Sequence, residues 1–300
     1  MNAHKIKALV RLVVSAIVAV VAIMLFITII NTNISVNQQH SGNPTVVIKE
    51  VVLREDVQSI NLNWYIGGIE VIPSDGNELR IVEKTYVNMD TNKSFEVSNN
   101  NGELTIQSRN KAYFNFMNWM VEPSFLQIYL PKDMSLNQLQ VNAISGTYEI
   151  SQLTLDSLEV NMTSGTLNLD TIEAQVLDLT LLSGNVNIRQ GKYETSNIMM
   201  TSGDLKYDAI TDRFMGDLIS GKMNLRFLQR PSAFDLQVTS GSVSVDVMTT
   251  EAFSIALNKT SGSFTSNLNI EEDIYHYLSG GPQYNIDMVS GSINFRSNSE

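Results

Sequence analysis

The side chains able to do chemistry in this 300-residue chain are few and scattered. There is no cysteine, which removes disulfides, thiolate nucleophiles and thiolate metal sites together. Three histidines, His4, His40 and His276, lie far apart, so a metal cluster or a histidine-based triad has few candidate members. Glu271, Glu272 and Asp273 with His276 form the densest cation-binding group, although carboxylates at a helix start more commonly serve the helix dipole. Asp170, Asp178, Asp208 and Asp246 occupy polar positions near strand ends. Carboxylate-only cleavage of a polysaccharide would need two such acids at fixed separation across a groove, whereas scattered acids on a solvent face need no catalytic explanation. No G-x-S-x-G, H-E-x-x-H or G-x-x-x-x-G-K-[ST] occurs, no G-x-G-x-x-G opens a helix, and the calcium-binding G-G-x-G-x-D is missing. These residues point to a non-catalytic protein without metal or cofactor.

What could position side chains here is a repeat. Ser-Gly recurs at Gly146, Gly165, Gly184, Gly203, Gly221, Gly241, Gly262 and Gly291, and the intervals are 19, 19, 19, 18, 20, 21 and 29 residues. Around each pair, apolar residues alternate with mostly polar ones, as in Val160, Met162 before Ser164 and Leu167, Leu169 after it. Period two is strand, so each unit reads strand, Ser-Gly corner, strand. Glycine suits a corner that needs positive φ, and serine is a weak turn former. The residue after each glycine varies in type and charge sign, from Asp204 to Lys222, which favours a turning device over a uniform ligand-matching ladder. The expected fold is all-β, a single-stranded β-helix or β-roll solenoid with rungs of 19–20 residues across 139–300.

Ahead of the repeat, residues 1–11 are basic, and 12–30 form an uncharged apolar run long enough to span a hydrocarbon core of about 30 Å as a transmembrane helix. Basic flanks on one side put the N-terminus in the cytoplasm and the remainder outside. The run is longer than a usual signal-peptide core, and no small-x-small cleavage signal follows it, so it reads as an uncleaved signal-anchor. Residues 31–44 are a polar linker. Residues 1–30 hold three of the 20 basic residues and no acid, so the rest carries 20 − 3 = 17 basic and 31 acidic residues, a net of −14. Such a surface repels nucleic acid, because phosphate recognition leans on Lys and Arg.

Residues 45–138 read as irregular opening rungs or a cap, with Gly67-Gly68 in a degenerate corner. Within them Tyr113, Phe114, Phe116 and Trp119 make an aromatic insert, either a patch for lipid or a partner or a loop folded over the open end of a core. An N-cap pattern at Asn269 to Glu272 predicts a short helix in the 269–279 insert. Little chain follows Ser290 to Phe295, so that last rung is expected to leave an open edge, available for end-to-end self-association.

An anchor, then I-x-L-x-W-Y-I-G-G-I-E-V, L-Q-I-Y-L-P-K-D and successive V-x-M-T-S-G-x-L-x-L phrases resemble the bacterial putative-adhesin family of unknown function, which includes LiaG-like envelope proteins. The resemblance covers roughly residues 45–295 and implies a β-helix outside the cytoplasmic membrane of a Gram-positive-type cell, with no catalytic or ligand-binding residues to carry over. The expected function is a membrane-anchored module that binds an envelope protein or wall component. A structural or regulatory envelope-stress protein is the alternative, and a carbohydrate-active enzyme a distant third.

Overall fold

A computed structural model describes residues 45–86, 94–108, 124–271 and 274–298. The segment expected to span the membrane at 12–30, the linker 31–44 and the aromatic insert with Tyr113, Phe114, Phe116 and Trp119 lie outside the described residues. Among the described residues no helix is long and apolar enough to cross a membrane. The opening strands are β1 (Val46–Leu53), β2 (Ser59–Ser74), β3 (Leu79–Thr85), β4 (Glu96–Asn100), β5 (Glu103–Gln107) and β6 (Ser124–Pro131). Four long ones follow: β7 (Leu136–Met162), β8 (Thr166–Leu181), β9 (Asn185–Met200) and β10 (Asp204–Leu218). The rest are shorter: β11 (Lys222–Phe227), β12 (Ala233–Val238), β13 (Ser242–Met248), β14 (Phe253–Lys259), β15 (Ser263–Ser266), β16 (Asn269–Glu271), β17 (Ile274–Tyr277), β18 (Gln283–Met288) and β19 (Ser292–Asn298).

The period-two pattern explains the long strands and also where they bend. In β8, Leu167 and Leu169 point inward, Asp170 and Thr171 both point outward, and Ile172 and Ala174 resume the inward set. A second slip falls at Gln175 and Val176, before Leu177, Leu179 and Leu181. Each slip is a corner, because side-chain direction alternates strictly along an unbent strand. With the Ser-Gly bend they divide one rung into three sides. Successive rungs pair in parallel, 19 residues apart, with Thr147 to Met162 beside Thr166 to Leu181, and those beside Asn185 to Met200.

The first slip is made without glycine. Gln152, Thr171 and Gln190 stand at φ of 52°, 56° and 52°, an uncommon conformation for side-chain-bearing residues and a strained one for β-branched Thr171. In β10 the equivalent residue is deleted: Asp208 faces Arg189, Ala209 faces Gly191, and Gln190 bulges between them. That deletion is why the interval from Ser202 to Ser220 is 18 residues.

The interior from β7 to β9 is mostly aliphatic, with Tyr148 and Tyr193 among the aliphatic side chains, and it is richer in aromatic rings beyond. Tyr207, Phe214, Phe227, Phe234, Tyr284 and Phe253 form a chain of ring contacts, including stacked pairs Phe214–Phe234 at 5.4 Å and Phe253–Tyr284 at 4.9 Å between centroids. Each such pair adds about 0.5–1.5 kcal/mol beyond its buried area. Burial pushes the phenols of Tyr148, Tyr193, Tyr207 and Tyr284 well above the usual tyrosine range, so they stay neutral.

The ends of the coil do not follow chain order. At one end β2 pairs in parallel with β7 on one side and with β5 and β6 on the other. There β3 runs antiparallel to β6 and β1, and β4 antiparallel to β5, converting the last parallel edge into antiparallel sheet. Buried Glu83 ties this end together by accepting from the Ser94 hydroxyl and, at 3.1 Å, from the Phe95 N–H.

At the other end two expectations are corrected. The segment Ser290 to Phe295 is not an open terminal rung: β19 lies between β13 and β15, and β18 lies between β12 and β14. The chain steps out by one vacant layer with β14 and β15, then returns and fills the layer with its last strands. The insert that makes this return is not a helix. β16 and β17 pair antiparallel, and β17 also pairs antiparallel with β14. The outer edge of β14 presents N–H and C=O groups that need partners, and the alternating Ile274-Tyr275-His276-Tyr277 supplies them as strand, overriding the N-cap pattern at Asn269.

Candidate functional site

The turn glycines form one column. Gly146, Gly165, Gly184, Gly203, Gly221, Gly241, Gly262 and Gly291 are all at positive φ, and Gly67 joins them. A Cβ on Gly184 would overlap the carbonyl oxygen of Gly165, and the same holds for each glycine against the one stacked beneath it. That oxygen accepts the N–H of Asn185 at 2.8 Å, so the column is a continuous backbone seam with no room for a side chain. The corner serines line the edge of this seam.

The side that follows each glycine carries three of the four acids with catalytic potential, Asp170, Asp208 and Asp246. Six residues after the corner serine stand Asp170, Arg189, Asp208, Arg226, Asp246 and Arg296, in register from rung to rung. Sign alternates at every step, with Arg189 to Asp170 at 2.8 Å and Arg226 to Asp208 at 3.5 Å. Asp170 and Asp208 are two parallel steps apart, about 10 Å. Arg189 fills the interval, leaving no place for a sugar ring between paired carboxyls. Asp178 lies on a different side, where its carboxylate accepts from the Asn197 amide at 2.6 Å. Sequence reading missed this ladder, although its signal was present as a fixed offset from each serine.

His276 sits on β17 opposite Ser254 and Asn269. The Glu271 side chain, Glu272 and Asp273 lie outside the described residues. Among the described residues no group of three or more His, Asp or Glu converges as metal ligands would.

The short third side forms a groove across successive rungs, enclosing about 480 Å³. Its rim carries Asp156, Glu173, Lys192, Glu194, Asp212 and Arg230. Several of these groups bond one another along the stack: Gln175 donates to Asp156 at 2.8 Å, and Lys192 approaches Glu173 at 3.8 Å. The groove can take a polar, extended ligand through exposed charges and amides.

The chain is matched over residues 57–296 by the model of a family described as Toastrack DUF4097. No curated protein matches it in sequence. Among solved structures it is similar to a "putative adhesin" from Bacteroides fragilis, with 13% identity, 82% of this chain and 97% of that one covered, and a TM-score of 0.51. It is also similar to a "putative lipid binding protein" from Parabacteroides distasonis (15% identity, 85% and 97% covered, TM-score 0.49) and a "putative adhesin" from Parabacteroides merdae (10%, 82% and 94%, 0.45). The Bacteroides likeness is one of fold.

Proposed function

We propose, since the chain belongs to the Toastrack DUF4097 family, that it is a non-catalytic, adhesin-like β-solenoid tethered by residues 12–30 to the outer side of the cell membrane. There it binds an envelope protein or wall component. The observation that carries this reading is the alternating ladder. Asp170 and Asp208, which a hydrolase would aim at substrate, are engaged by arginines of the neighbouring rungs, and Asp178 by the Asn197 amide, which favours rigidity and display over bond-breaking. The adhesin name of the Bacteroides structure agrees with a display role. An apolar run of membrane-spanning length with basic residues on one side supports the tether and its direction.

Two experiments test the reading. The full chain in lipid nanodiscs is incubated with envelope preparations, and retention of a specific protein or glycan is expected, reduced when Glu194→Lys and Asp212→Lys invert the groove rim. Retention of nothing would overturn the binding role. Protease added to intact cells with a permeable wall is expected to cut between residues 139 and 295, and full protection would overturn the topology.

A further inference from the structure

Asn101-Gly102 is the one Asn-Gly pair in the chain, and every other asparagine is followed by a residue that carries a Cβ. The pair forms the two-residue loop of the β4–β5 hairpin, in which Asn100 faces Glu103. Both residues stand at positive φ, 53° and 88°, as a tight hairpin turn requires. Asn101 is exposed, whereas Gly102 is buried against the Gln58 side chain. The Gly102 carbonyl accepts the N–H of Gln58 at 2.8 Å and that of Ser59 at 3.1 Å, so this turn sets the start of the parallel pairing between β5 and β2. The Gly102 N–H donates to Asn99 Oδ1 at 3.1 Å. Asn99 is held in turn by Glu55, which accepts from its amide at 2.8 Å.

An asparagine followed by glycine carries its own electrophile and nucleophile. The Gly102 nitrogen and Asn101 Cγ can close a five-membered ring, and no Cβ on the glycine obstructs the approach. We infer that Asn101 is a site of spontaneous deamidation and that Asn99 sets its rate by withholding the Gly102 N–H. In the reaction water or hydroxide takes that proton, the nitrogen pair bonds to Cγ, and the Cγ–Nδ2 bond breaks as ammonia leaves with a solvent proton. Water then opens the cyclic imide. Breaking the new bond gives aspartate, and breaking the original main-chain bond gives isoaspartate. One water is consumed and one ammonia released, with no change of oxidation state. Isoaspartate lengthens the main chain by a methylene at the turn whose carbonyl the Gln58 and Ser59 amides grip. Either product adds negative charge to a turn flanked by Glu55 and Glu103, where like charges repel. The change therefore loosens the β4–β5 hairpin from β2 and records the age of the molecule at that end of the coil. Asp75-Gly76 could close the same ring, but the hydrogen bond from Lys132 holds the Asp75 carboxyl below the usual carboxylate range, and a carboxylate is a poor electrophile. The inference stands apart from the adhesin-like reading and from the membrane orientation.

The test incubates the full chain in nanodiscs beside a peptide copy of residues 96–107 in mildly alkaline buffer, and mass spectrometry after proteolysis counts aspartate and isoaspartate at each asparagine. Asn101 is expected to convert before any other asparagine of the strands and turns. It is expected to do so at least about tenfold more slowly than in the peptide, because the turn must first release the Gly102 N–H. Asn99→Ala is expected to recover most of that difference, while deuterium exchange of the Gln58 and Ser59 amides stays as in the native chain. Asn99→Asp keeps the accepting oxygen and is expected to stay as slow as the native chain. No product at Asn101 long after the peptide is spent, or conversion as fast as in the peptide, would overturn the inference. So would an Asn99→Ala chain no faster than the native one, a gain matched by faster Gln58 and Ser59 exchange, or an Asn99→Asp chain as fast as Asn99→Ala.

Discussion

At the scale of single residues, the fold depends on atoms that have no room to be anything else. Gly184 is held at φ 122° with the Gly165 carbonyl where a side chain would begin, so Gly184→Val meets both backbone strain and a collision. It is expected to lower unfolding stability by more than about 1 kcal/mol, and an unchanged urea midpoint would contradict the seam. The buried phenols give a finer contrast. Tyr207 bonds Ser196 through its hydroxyl at 2.9 Å, and Ser196 in turn donates to Thr211 at 3.2 Å. The hydroxyl of Tyr193 is buried with no partner. Removing an orphaned polar group relieves its desolvation cost, whereas removing half of a buried pair strands the other half. Tyr193→Phe is therefore expected to be neutral or stabilising, and Tyr207→Phe to cost about 1–3 kcal/mol. Chemical denaturation of the two variants side by side checks this, and equal effects would show that the network adds nothing.

At the scale of strands and rungs, the sequence carried most of the plan but misordered its end. Period-two alternation and recurring Ser-Gly made the strands and one corner per rung legible, because that corner needs a glycine and each rung needs the same inward set, whereas the two corners made without glycine left no such mark. The pattern at Asn269 to Glu272 misled, since an N-cap motif is local while the partner that decides strand or helix, β14, is distant in sequence. A usable warning lay in the ladder. Chain order would set Asn267, six residues after Ser261, against Asp246, breaking an alternation that Arg296 continues once its rung is inserted between them. That substitution of neighbours is measurable. Asp246→Arg places a third cation between Arg226 and Arg296 and is expected to cost about 0.5–1 kcal/mol at low salt, less in 1 M NaCl because the groups are exposed. Adding Arg296→Asp is expected to recover part of the loss. A double-mutant cycle with no coupling between 246 and 296 would place the two residues in non-adjacent rungs.

At the scale of the whole molecule, the inserted last strands change what truncation does. In a coil stacked in chain order, deleting the final rung removes one interface and leaves the remainder folded, since stability is a sum over neighbours. Here β18 and β19 are held on both sides, between β12 and β14 and between β13 and β15, so their removal opens a gap inside the stack. Rungs on either side of the gap then expose parallel edges, and the β14–β15 layer must shift inward to close it. The shift brings Asn267 to Asp246 and carries the β16–β17 hairpin along. A chain ending at Ser279 is thus expected to lose the protease-resistant core beyond β10 as well as the deleted residues, with the aromatic chain from Phe227 to Phe253 opened to solvent. A peptide spanning 280–298 added in trans is expected to restore protection, and the same peptide carrying Arg296→Asp to restore it less well. Limited proteolysis followed by mass spectrometry reads the boundary directly. A truncated chain that keeps every rung up to β15 resistant, and ignores the peptide, would mean that the layers are stacked in the order in which they are made.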